Sequence, residues 1–111
     1  WMGFNYLRIR RAAKIVDNEE FEALIRTGQL IDLRDPAEFH RKHILGARNI
    51  PSSQLKTSLA ALRKDKPVLL YENQRAQRVT NAALYLKKQG FSEIYILSYG
   101  LDSWKGKVKT N

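Results

Sequence analysis

Cysteine is absent from the 111 residues. That excludes disulfides, thiolate-ligated zinc or iron–sulfur sites, and thiol chemistry carried by this chain. There are two histidines, His40 and His43, too few for a histidine-rich metal site, and no metal or other cofactor is expected. No apolar run approaches the roughly 20 residues that span a bilayer. No charged segment followed by an apolar stretch reads as a secretion signal. Acidic residues are the scarcer sign, with 11 Asp and Glu against 20 Lys and Arg, a net charge of +9. What remains, 43% hydrophobic and 28% charged, is ordinary for one soluble domain of this length.

The basic excess gathers partly at the ends. Arg8, Arg10, Arg11 and Lys14 precede the first acid, Asp17, and Lys105, Lys107 and Lys109 fall among the last seven residues. Three regions follow: a basic and aromatic extension over 1–14, a folded domain over 15–105, and a basic tail over 106–111. Within the domain, Asp17 and Glu20 suggest a capping box, with Phe21, Leu24 and Ile25 at helical spacing and Gly28 as the stop. Leu30–Leu33 reads as a strand, and Asp35-Pro36 opens a short helix. Leu55, Leu59 and Leu62 predict a third helix, and Val68–Tyr71 a buried strand. Val79, Ala82, Ala83 and Leu86 form the stripe of a fourth helix, Ile94–Leu97 a further strand, and Leu101–Trp104 a helical turn. Strands alternating with helices predict an α/β fold: a central, mostly parallel sheet of about five strands with helices on both faces.

The stretches LIDLRDPAEFHRKHILGARNIP and PVLLYENQRAQRVTNAALYLKKQGFSEIYILSYGLDSW resemble the rhodanese homology domain. Asp32 and Arg34 match its Asp-x-Arg strand end, and Glu38 and Phe39 its acidic–aromatic pair. His43, Ile44, Gly46, Ala47, Asn49, Ile50 and Pro51 match the signature that follows. Gly90-Phe91 matches the end of the helix after the active loop. Gly100 and Trp104 match the closing Gly-Gly…Trp element, Tyr99 standing for its first Gly. The expected roles of Asp32, Arg34, Glu38, His43 and Trp104 are structural: Arg34 and Glu38 as an ion pair, His43 bonded to backbone, Trp104 as a core plug.

The resemblance implies sulfur transfer through a persulfide on a cysteine that ends the central strand and opens a loop of the form Cys-x-x-Gly-x-Arg. Here that loop reads Glu72-Asn73-Gln74-Arg75-Ala76-Gln77, followed by Arg78. Glu72 takes the cysteine's place, Arg75 the glycine's and Gln77 the arginine's. A carboxylate cannot carry a persulfide, and the related cysteine-dependent phosphatases need the same thiol. Glu72 either fills the loop's anion cradle from within or points to solvent. No catalytic residue is therefore expected.

Three functions follow from this reading. The first is a non-enzymatic module that binds or scaffolds a protein partner. The second is an anion- or nucleic-acid-binding domain using Arg75, Arg78 and the terminal cations, although no nucleic-acid-recognition motif accompanies the charge and such a partner is not expected. The third is a sulfurtransferase of thiosulfate type relying on a cysteine outside this chain. The extension adds a localisation. Trp1, Phe4 and Tyr6 are interface-seeking residue types, and the cations of Arg8, Arg10, Arg11 and Lys14 match a cytoplasmic flank facing anionic lipid. The chain, opening on Trp1, is expected to be part of a longer protein with a membrane-spanning helix upstream, holding the domain at the cytoplasmic side.

Overall fold

The computed structural model describes residues 13–74 and 77–110. The strands are β1 (Lys14–Val16), β2 (Gln29–Asp32), β3 (Lys42–Ile44), β4 (Arg48–Asn49), β5 (Val68–Tyr71), β6 (Ile94–Leu97) and β7 (Val108–Thr110). The helices are α1 (Asn18–Ile25), α2 (Pro36–Arg41) and α3 (Gln77–Lys88). Five strands form one sheet in the order β1-β6-β5-β2-β4, every neighbouring pair parallel. Strands β3 and β7 pair antiparallel in a separate two-stranded ribbon.

Alternation along the central strands divides the core. Val68 and Leu70 of β5 join Ile31, Ile94 and Ile96 beneath α3, which contributes Val79, Ala83 and Leu86. Leu69 and Tyr71 face the other way, toward Phe21 of α1, Val16, Leu30 and Leu97. Both faces are thus covered, which is why β5 is a continuous apolar run rather than an alternating one. Each such side chain taken fully out of water contributes roughly 1.5–3 kcal/mol.

Asp17 caps α1, its carboxylate accepting the Glu20 N–H at 2.9 Å. Glu20 leaves the capping box half made, because its carboxylate lies 3.7 Å from Lys14 Nζ. Gly28 serves by size rather than by handedness: a Cβ there would meet Leu69 Cδ1 at 2.2 Å. Pro36 opens α2, and Asp35 makes no side-chain capping bond.

The third predicted helix does not form. Residues 52–62 make two 3-10 turns, Ser52–Gln54 and Leu59–Ala61. Thr57 Oγ1 donates to the Gln54 carbonyl at 2.9 Å, a side-chain bond that competes with a continuous helical ladder. Leu55 and Leu62 are nonetheless buried, so the apolar stripe reports burial without helix. The basic tail likewise holds structure, since Val108–Thr110 is strand β7.

After β2 the chain turns toward β4; after β5 it turns toward β6. The carboxyl ends of β2 and β5 therefore flank the point where connections diverge, the place at which open α/β sheets form a crevice.

Candidate functional site

Asp32 ends β2 with its side chain fully buried, and Arg34, two residues on, is 4% exposed. A buried carboxylate needs a cation and several hydrogen bonds. Arg34 supplies both: its Nη2 donates to Asp32 Oδ2 at 2.9 Å, its Nε to Oδ1 at 3.1 Å, and its backbone N–H to Oδ1 at 2.9 Å. Tyr71 lies opposite Asp32 in the β2–β5 register and adds its hydroxyl to that carboxylate. The same hydroxyl accepts the Ile44 N–H at 3.0 Å. Burial and then the Asp32 charge push the Tyr71 hydroxyl far above its ordinary range. Burial works against the Arg34 charge, but bonding and attraction to Asp32 hold the guanidinium above its usual value.

Arg34 does not pair directly with Glu38. Asn73 stands between them, accepting from Arg34 Nη1 at 3.1 Å and donating to Glu38 Oε2 at 2.8 Å. The Asn73 bond, helped by the field of Arg34, holds the Glu38 carboxyl below the usual carboxylate range. Arg34 Nη2 also donates to the Lys42 carbonyl, so one side chain fastens β2, the loop after β5 and the start of β3. Among the described residues, no buried side-chain polar atom lacks a partner.

Glu72 follows β5 and is 7% exposed. Its Oε2 accepts the Val79 N–H at 2.9 Å, in the first turn of α3. The loop is clamped from the far side by the turn after β6. Leu101 N–H donates to the Glu72 carbonyl at 2.8 Å and Asp102 N–H to the Asn73 carbonyl at 3.0 Å. Gly100, at φ +69°, lets the two backbones touch, for a Cβ there would lie 2.5 Å from both carbonyl oxygens. Arg34, Glu38, Arg41, Lys42, Asn73 and Asp102 line an open cleft of about 440 Å³ beside this loop.

The structure thus brings Asp32, Arg34, Glu38 and Asn73 into one network. His43 sits beside it, Nδ1 2.8 Å from the Phe39 carbonyl and the ring stacked on Phe39 at 3.8 Å. An Nδ1 facing a carbonyl oxygen carries the proton. Trp104 is half-buried elsewhere, edge-on to Phe21 at 5.9 Å. Gln74 reaches Asp102 at 3.4 Å, and Gln77 bonds Asn81 at 2.7 Å along the helix surface. Arg78 is exposed at the start of α3, outside the network. Arg75 and Ala76 lie outside the described residues, as do Arg8, Arg10 and Arg11. Lys14 is exposed on β1. Sequence reasoning missed Tyr71 as a polar partner. The signal was present: an otherwise aliphatic strand ending in a hydroxyl at the same sheet end as Asp32.

The sequence pattern of the rhodanese-like domain matches residues 17–107. Over 109 residues the chain is 49% identical to the uncharacterized protein YqhL of Bacillus subtilis (strain 168), spanning 98% of this chain and 86% of that protein. Over 95 residues it is 36% identical to thiosulfate sulfurtransferase GlpE of Stutzerimonas stutzeri (strain A1501), spanning 83% of this chain and 84% of that one. The crystal structure of a rhodanese-related protein from Thermoplasma volcanium superposes with a TM-score of 0.79, at 23% identity, over 88% of this chain and 99% of the other. At that identity the likeness concerns the fold.

Proposed function

Because the chain belongs to the rhodanese-like domain family, we propose that it is a catalytically silent member: a binding or scaffolding module for a protein partner, held at the cytoplasmic face of a membrane. The observation that carries this reading is Glu72. It follows the central strand at the position where the family's persulfide cysteine is expected, and its carboxylate is turned inward onto the helix N-terminus. A carboxylate oxygen forms no persulfide, and the chain has no other residue that can. The loop itself is held in a firm scaffold, the Asp32–Arg34–Asn73–Glu38 network on one side and the Gly100 clamp on the other.

The named substrate of the GlpE relative supplies the test. The purified chain, given thiosulfate and cyanide, is expected to form no thiocyanate above buffer background; turnover would overturn the reading. Glu72→Cys is expected to stay inactive, because Arg75 and Gln77 have replaced the loop's glycine and arginine as well. Membrane placement draws on Trp1, Phe4 and Tyr6 followed by Arg8, Arg10, Arg11 and Lys14. In cells producing the natural protein, the domain should sediment with membranes and need detergent for release. Recovery in the soluble fraction would remove that part of the proposal.

A further inference from the structure

On the flank of α3 beside its core stripe, with Ala82 shared between the two, a pocket of about 240 Å³ lies against the turn at 52–56. Arg78, Asn81, Ala82 and Tyr85 reach it from the helix, at the i, i+3, i+4, i+7 spacing that puts residues on one face. Ser52, Ser53 and Lys56 face them from the turn. Every polar group there can donate. Asn81 Oδ1 is already taken by Gln77 at 2.7 Å, which leaves its amide hydrogens for the pocket. Lys56 Nζ sits 5.7 Å over the Tyr85 ring. Among the described residues, the Ser52 and Ser53 hydroxyls and the Arg78 guanidinium make no hydrogen bond or ion pair. No carboxylate lines the pocket; Glu38 feels the Arg78 charge from outside it.

Two cations, two hydroxyls and an amide offering donors, with an apolar wall of Leu55, Ala82 and Tyr85, describe a particular ligand. An arginine fork beside hydroxyls suits a tetrahedral oxyanion. The wall suits a small organic group esterified to it. The volume is below the range of about 300–1,000 Å³ that holds drug-sized molecules, so the organic group is small. We propose that this pocket binds a small organic phosphate monoester, its phosphoryl oxygens held by Arg78, Lys56 and the serine hydroxyls and its organic part lying on Tyr85. The inference is independent of the fate of Glu72 and of sulfur transfer.

The test is a titration of the isotopically labelled chain followed by amide NMR shifts, at constant ionic strength, with phenyl phosphate, inorganic phosphate and phenol as probes. Phenyl phosphate should give saturable shifts at Ser52, Ser53, Arg78 and Asn81. Inorganic phosphate should bind the same residues more weakly, and phenol should not bind. Arg78→Gln and Lys56→Gln should each weaken phenyl phosphate about tenfold or more, the loss of one charge-assisted contact, with spectral dispersion showing that the fold survives. Shifts that fail to saturate, phenol binding as well as its phosphate, or unchanged affinity in both variants would overturn the proposal.

Discussion

Arg34 does the work of several side chains, and its removal is correspondingly costly. It neutralises Asp32, holds Asn73 in place for Glu38, and ties down the Lys42 carbonyl. Truncating one member of a buried pair costs about 3–5 kcal/mol, because the other charge stays buried alone. Against a total stability of about 5–15 kcal/mol, that is a large share. Arg34→Ala should therefore lower the urea midpoint, followed by circular dichroism, by the equivalent of about 3–5 kcal/mol; an unchanged midpoint would refute the network's role. At this scale the sequence named the participants better than their bonds. Arg34 and Glu38 are four apart, the spacing of a helical ion pair, but α2 begins only at Pro36 and the helical geometry does not reach back to Arg34. Asp32, on the strand end, was the nearer partner. In the sequence Asn73 is legible as a loop residue only, because its bridging role depends on the approach of a loop 39 residues from Arg34.

Among the elements, legibility followed burial. Strands β2, β5 and β6 are each four residues long and mostly buried, so they stand out as apolar runs. Strands β1, β4 and β7 are two or three residues long and each carries a cation, and β4 and β7 are partly or fully exposed, so none shows an apolar run long enough to read. The leucines at 55, 59 and 62 mimic a helix because packing beneath α3 asks only that they face inward, whatever turn presents them. The resemblance did flag the turn after β6, and there the geometry makes a sharp demand. Gly100→Ala would place a side chain at φ +69°, worth about 1–3 kcal/mol of strain. It would also drive the turn off the Glu72 and Asn73 carbonyls, 2.5 Å away. The variant should be destabilised by at least that strain in a denaturant melt. Its amide resonances at 72, 73, 101 and 102 should move together, and a spectrum perturbed only at 99–101 would count against the clamp.

For the molecule as a whole, the topology predicts an order of opening. β5 lies at the centre of the five-stranded sheet with all four residues buried, whereas a two-stranded ribbon such as β3–β7 is marginal by itself. Native-state hydrogen exchange should leave the amides of 68–71 as the last to exchange and release those pairing β3 with β7 well before them; equal protection would mean that the ribbon opens only with the domain. The parallel sheet has one more consequence. With its five strands pointing the same way, this sheet has a front and a back: Lys14 enters at the back, while the cleft, the Glu72 loop and the Gly100 clamp all open at the front. A four-residue strand rises roughly 13 Å at about 3.3 Å per residue. A tether joined to the sheet through Lys14 would take hold at the rear, at the end of the strands opposite the one where the cleft opens.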